Sequence, residues 1–333
     1  MGTAGEMEEE LVGRAGLLLE TISGGGVHGV GLRQLARNGP RLMQGWRQAR
    51  RIVRRFGPDV ALLTGGYTNI PVALAAWERR VPLLIFLPDI EPGLAIRTLS
   101  HLAQVVACTA EASRSFLPPQ KVKVTGYPVR PGLVPGGGRA AACRFFELKP
   151  DLRILLVFGG SRGARTINTS VMEILPQLLT DYQMIHISGH LDWEVVAERA
   201  CQLPADMRIR YRPFAYLHEE MGQALQAADL VVARAGAATL GEFPAFGLPA
   251  VLVPYPFAWR YQKVNADYMA SAGAAVRLND ELMEAELLPT VQRLMNDPAK
   301  LESMRQAALS LNRPRAARQI SDLLASLARS DRL

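Results

Sequence analysis

The sequence predicts an α/β protein with two Rossmann-like domains, each a mainly parallel sheet, facing a cleft. Three observations predict it. Short, mainly apolar runs recur along the chain, at 58–63, 81–86, 105–108, 153–158, 184–188, 230–233 and 250–253, as strands buried on both faces do, and 122–125 and 208–211 read as further strands. Glycine-rich turns follow several of these runs and lead into helical patterns, the arrangement of doubly wound sheets. A proline- and glycine-rich stretch, PGLVPGGGR at 131–139, separates two halves and has the composition of a linker.

Composition agrees with a folded chain. At 333 residues with 49% hydrophobic and 21% charged content, one or two sizeable cores are expected. No apolar run approaches the length needed to cross a bilayer. Cys108, Cys143 and Cys201 are far apart and lack metal spacing, as reduced thiols of a cytoplasmic protein would. The net charge of +7 invites an anionic partner, either nucleic acid or a membrane surface.

In order along the chain, residues 6–12 read as a short acidic helix start, 17–22 as a strand, and SGGGVHG at 23–29 as a flexible connection. Residues 32–56 hold eight arginines and no acidic residue, with Asn38, Gly39 and Pro40 expected to break them into two helices. Such a run is either a solvated helix face or, with Met43 and Trp46 beside Arg37 and Arg41, a surface for an anionic membrane. Nucleic acid is the weaker partner, because no stacking platform accompanies the arginines. The Gly65-Gly66-Tyr67 turn ahead of a helix starting at Asn69 serves either as a tight strand-to-helix turn or as an anion site.

The second half carries the stronger signals. Its first strand ends in Gly159-Gly160-Ser161-Arg162-Gly163-Ala164, where missing Cβ atoms let backbone N–H groups approach a diphosphate. A helix is expected over 168–179. The run at 230–233 delivers RAGAATLGE (234–242), a small-residue turn entering a helix whose free N–H groups and dipole can hold a phosphate. A close-packed strand–helix–strand unit would use Gly236 in the same way. Glu242, one turn inside, is placed to accept hydrogen bonds from a ribose diol. A strand at 250–253 follows, then a polar loop with Arg260, Gln262 and Asn265. No histidine pair or Asp-x-Asp triplet has metal-ligand spacing.

The order RAGAATLGE, GLPAVLVPYP (247–256), RYQKVNA (260–266) resembles the donor half of GT-B glycosyltransferases. In particular it is similar to the MurG-like family (glycosyltransferase family 28), which adds N-acetylglucosamine to the undecaprenyl-linked peptidoglycan precursor. WRQAR (46–50), Gly65-Gly66-Tyr67 and GYPVR (126–130) extend the likeness into the first half.

The resemblance implies an inverting transferase using UDP-N-acetylglucosamine, without a metal, on a muramyl-pentapeptide carried by undecaprenyl diphosphate. It further implies a peripheral position on the cytoplasmic face of the membrane. Related readings are transfer to another lipid acceptor, such as diacylglycerol, and a donor-binding protein without turnover. Donor contacts are carried over to Arg130, Gly160, Ser161, Arg234, Gly236, Ala237, Ala238, Thr239, Leu240, Gly241 and Glu242, with Gln262 and Asn265 on the sugar hydroxyls. Arg234 serves either near the base or in sheet packing. Acceptor contacts fall on Gly65, Gly66, Tyr67 and Asn69.

The implied domains are 1–138 on the acceptor and membrane side, 139–312 for the donor, and a final helix at 313–333 crossing back. The family's H-E-Q-N loop is replaced at 86–89, with Asp89 in the asparagine's place, and Asp89 is nominated as the substitute for the base histidine that the family carries in its G-G-T-G-G-H loop. The family's first strand and its G-G-T-G-G-H loop have no counterpart ahead of Met1. The expectation is therefore that DNA upstream encodes them in frame, and that the 333-residue product has little activity.

Overall fold

A computed structural model describes residues 1–3, 12–13, 15–23, 32–66, 68–133, 135–160, 163–257 and 260–330, without the side chains of 32–38 and Ser330. It divides into two compact units, Met1–Thr125 with Arg315–Leu333, and Gly126–Pro314.

The first unit holds four parallel strands in the order β1-β2-β3-β4: β1 (Ala61–Leu63), β2 (Leu83–Leu87), β3 (Val105–Cys108) and β4 (Val122–Val124). Every residue of β2, LLIFL, is buried, because a central parallel strand has helices on both faces. The Asn69–Glu78 helix lies on this sheet through Ala73 and Ala76, small residues that allow close approach. Residues 17–20 form no strand; a single parallel bridge joins Gly2 to Thr21 instead. The expected acidic helix start and most of the 23–29 loop lie outside the described residues.

Residues 32–56 form one helix, not two, and it runs through Pro40. A proline removes a single backbone bond, while Ala49 and Val53 bury against Ile22 and Ala75 and hold the remainder in place. Gly45 lets the helix meet Ser23, whose carbonyl oxygen occupies the space a Cβ would need. The Ala316–Ser330 helix belongs to this unit. Among the described residues no helix is long and apolar enough to cross a membrane.

The second unit is a six-stranded parallel sheet in the order β10-β9-β8-β5-β6-β7. Its strands are β5 (Ile154–Phe158), β6 (Gln183–Ile187), β7 (Tyr211–Phe214), β8 (Leu230–Ala233), β9 (Ala250–Leu252) and β10 (Ala275–Arg277). β7 starts at Tyr211 rather than 208, and its Pro213 is accommodated because the strand is at the sheet edge. The helical pattern at 168–179 is two helices, Arg165–Glu173 and Leu175–Asp181. A helix, Gly138–Phe145, begins within the stretch read as linker.

Strand order reverses between β5 and β8, which pair through Phe158 and Ala233 at their carboxyl ends. That reversal is the switch point at which open α/β sheets bind ligands.

Candidate active site

Because β5 pairs with β8, the 159–163 turn and the 234–238 turn leave the sheet side by side. The first is shaped by glycine. A Cβ on Gly159 would collide with Ala164, and one on Gly163 (φ +78°) with the carbonyl of Ser188. Gly160 (φ +94°) is exposed, and a Cβ there would meet nothing within 4 Å. Ser161 and Arg162 lie outside the described residues.

The second turn is different. A Cβ on Gly236 would also meet nothing within 4 Å, so protein packing does not require this glycine. Among the described residues, nothing accepts from the N–H groups of Ala237 and Ala238, ahead of the Thr239–Phe246 helix. Thr239 Oγ1 instead donates to the Gly236 carbonyl at 2.7 Å, closing the turn. The result is a backbone cradle with its donors open, suited to an anion.

Leu240 and Gly241 are buried in that helix. Gly241 faces Tyr127, where an added Cβ would lie 2.7 Å from the tyrosine Cβ and Cδ1. This contact holds the 126–130 segment against the helix and brings Arg130 to Glu242, 3.8 Å apart. Glu242 is 9% exposed. Burial raises its pKa, and the Arg130 charge opposes the rise.

Three residues expected at the donor are committed elsewhere. Arg234, 9% exposed, forms an ion pair with Asp280 and donates to the carbonyls of Val253 (3.3 Å) and Pro254 (3.4 Å). Its guanidinium also lies over the Tyr255 ring, 5.3 Å from the centroid. Of its two readings, the geometry matches sheet packing. Gln262 and Asn265 lie on a helix, Tyr261–Ser271, where a polar loop was expected. Asn265 is fully buried and donates to the Ala235 carbonyl at 3.1 Å, while Gln262 accepts from the Tyr255 N–H at 2.9 Å. Both side chains shape the loops beside the cradle, and a buried Asn265 cannot reach a sugar hydroxyl in this conformation.

In the first unit, Gly65 (φ +103°) and Gly66 (φ +87°) make the turn ahead of Asn69, whose N–H donates to the Gly66 carbonyl at 3.3 Å. Tyr67 lies outside the described residues. Asp89 is half-buried in the turn after β2. On another face, Met43, Trp46, Leu74 and Trp77 line an apolar groove of about 450 Å³. Met43 and Trp77 are more than half exposed, and Arg41, Arg47, Arg50 and Arg79 are exposed on the same two helices and their ends. The Arg37 side chain is outside the described residues. Among the described residues no three of His, Cys, Asp and Glu gather as metal ligands.

Sequence reasoning passed over Tyr127 and Asp280, which matter only through contacts distant in the chain. It weighed His186 only for metal-ligand spacing, and the structure buries that side chain in β6 between Tyr211 and Asn168. A histidine inside an otherwise apolar strand was its one visible signal.

Comparison with known proteins places this geometry. The C-terminal domain of glycosyltransferase family 28 matches residues 154–320, and its N-terminal domain matches residues 1–108. A Roseiflexus relative is 38% identical over 98% of this chain and 83% of its own length. One from Moorella thermoacetica is 39% identical over 97% of this chain and 89% of its own. Both are named UDP-N-acetylglucosamine--N-acetylmuramyl-(pentapeptide) pyrophosphoryl-undecaprenol N-acetylglucosamine transferase. The crystal structure of Acinetobacter baumannii MurG aligns with a TM-score of 0.75 at 27% identity, covering 97% of this chain and 89% of that one. The fold is therefore GT-B, and the chain belongs to glycosyltransferase family 28.

Proposed function

We propose that this chain transfers N-acetylglucosamine from UDP-N-acetylglucosamine to a muramyl-pentapeptide on undecaprenyl diphosphate. The observation that carries the reading is near-full-length likeness, at 38–39% identity, to transferases bearing that name. The open cradle at the switch point supports it, since a donor diphosphate is the anion such a cradle suits.

In this reading the Gly236, Ala237 and Ala238 backbone and Gly160 hold the diphosphate. Glu242 accepts from the ribose hydroxyls. The acceptor hydroxyl attacks the anomeric carbon opposite the departing UDP, inverting that centre, and gives its proton to the Asp89 carboxylate. The bond to the diphosphate oxygen breaks, and Arg130 with the helix N-terminus stabilises the charge that develops there. No metal is assigned a part in this transfer. Gly65, Gly66 and Asn69 contact the acceptor.

The apolar groove of Met43, Trp46, Leu74 and Trp77, with arginines around it, is assigned to an anionic membrane surface, and a peripheral position on the cytoplasmic face is proposed with it. Apolar burial and attraction to anionic headgroups would act together there.

The test is transfer of radiolabelled sugar from UDP-N-acetylglucosamine to the lipid-linked muramyl-pentapeptide. Labelling of diacylglycerol and not of that acceptor would replace this reading with the related one.

A further inference from the structure

The open cradle at 236–238 is held in shape from behind. Gly236, Ala237 and Ala238 are half-exposed, while Ala235 and Thr239 on either side are buried. Among the described residues, the N–H groups of Gly236, Ala237 and Ala238 donate to nothing. The carbonyls of the same three peptide units are all engaged. The Ala235 carbonyl accepts from Asn265 Nδ2 at 3.1 Å. The Gly236 carbonyl accepts from the Thr239 hydroxyl at 2.7 Å and from the Thr239 N–H at 3.1 Å. The Ala237 carbonyl accepts from the Leu240 N–H at 3.1 Å.

A trans peptide is planar, and its C=O and N–H point in opposite directions. A donor that holds the Ala235 carbonyl therefore aims the Gly236 N–H. A donor on the Gly236 carbonyl aims the Ala237 N–H, and one on the Ala237 carbonyl aims that of Ala238. The last two are supplied within the turn and the first residues of its own helix. The first comes from a distance.

Asn265 lies 30 positions along the chain, on the Tyr261–Ser271 helix, and it is fully buried. A buried amide has to place its polar atoms, and a buried carbonyl has to find a donor. Asn265 meets both needs at Ala235, and so ties the start of the cradle to a second helix. The resemblance puts Asn265 on a sugar hydroxyl, whereas here its amide reaches only the side of the turn that faces the interior.

We propose that Asn265 and Thr239 are positioning residues for the donor diphosphate, fixing the peptide planes that present the Gly236 and Ala237 N–H groups. The inference rests on the reading that this cradle seats the diphosphate. Neither side chain is a catalytic residue. Each acts through a backbone carbonyl, by setting where the N–H of the same peptide points.

The test compares calorimetric affinities for UDP and uridine, which differ by the diphosphate, in the full chain. Thr239→Val keeps the shape of the side chain and removes its hydroxyl. Asn265→Leu removes the amide donor at similar volume, and Asn265→Ala takes its place if the leucine variant fails to fold. Each is expected to lower the ratio of UDP to uridine affinity about tenfold, the worth of one hydrogen bond to a charged group. Thr239→Ser, which keeps the hydroxyl, is expected to retain the ratio.

Ala238→Pro separates the two ideas. Ala238 has φ −59°, a value proline shares, and its N–H has no partner to lose, so the variant removes one open donor. If it lowers the ratio while the Asn265 and Thr239→Val variants leave it unchanged, the positioning role is overturned and the cradle keeps its own. If Ala238→Pro leaves the ratio unchanged, the cradle is not the diphosphate seat and both ideas fall. A parallel loss of UDP and uridine affinity in the Asn265 and Thr239→Val variants would mark a purely structural role and overturn the proposal.

Discussion

Glu242 Oε1 lies 3.8 Å from Nη2 of Arg130, a nearly buried carboxylate facing a guanidinium that is 66% exposed. Burial raises the Glu242 pKa, so the folded chain binds this proton more tightly than the unfolded chain. The stability so gained is complete below the ordinary carboxylate pKa and is lost as pH rises through the raised folded value. Above that raised value the ionised group costs stability. Glu242→Gln is expected to raise the melting temperature at neutral pH. It should also weaken UDP-N-acetylglucosamine by about 1.5–3 kcal/mol, tenfold or more. Calorimetry and a thermal melt on the same sample check both signs.

Gly241→Ala tests how Arg130 is held. The new Cβ would lie 2.7 Å from Tyr127 Cβ and Cδ1, and 3.0 Å from Cγ. Overpacking of this kind costs about 1–3 kcal/mol. Displacing the 126–130 segment should also weaken UDP binding, as Arg130→Ala should. Denaturant unfolding paired with UDP titration reads both; unchanged stability would mean that the segment yields freely.

Arg234→Ala removes one partner of a nearly buried ion pair and leaves Asp280 uncompensated. Loss of stability by about 3–5 kcal/mol is expected. The double variant with Asp280→Asn should recover part of that loss. Preference for uridine over adenine nucleotides should persist in the double variant. If that preference collapses, Arg234 contacts the base after all.

Binding to anionic vesicles is expected to exceed binding to neutral ones and to weaken with salt. Each basic residue near the surface contributes on the order of 1 kcal/mol. Replacing Leu74 and Trp77 with serine should weaken binding without altering UDP affinity. Trp46 emission should shift to the blue as the groove enters the interface. Tight duplex-DNA binding with no vesicle binding would reverse the assignment.

Asp89→Asn is expected to abolish transfer while leaving UDP-N-acetylglucosamine affinity unchanged, since the proposed transfer asks of Asp89 only that it accept the proton. Single-turnover assays with lipid-linked acceptor separate the two. Full activity in the variant would require another base.

The fold class and the two turns were legible because each is written in a short stretch of chain. Buried parallel strands need continuous apolar runs, as in Ile154–Phe158 and Leu230–Ala233, and a strand entering a helix tightly needs glycine, as at Gly159 and Gly163. Glu242 was legible for the same reason, as a carboxylate one turn inside a helix. The residues around them were not. Gln262 and Asn265 read as loop because RYQKVNA has no strong apolar period, yet Asn265 and Ala266 bury one face of a helix. Pro40 reads locally as a break, and packing of Ala49 and Val53 outweighs it. The pairing of β5 with β8, the approach of Arg130 to Glu242 and the Arg234–Asp280 pair join residues 46 to 112 positions apart, and the His186–Tyr211 hydrogen bond joins neighbouring strands. Local pattern states which backbone each segment adopts. Which side chains then meet is decided only when the sheet closes and burial makes every polar group find a partner.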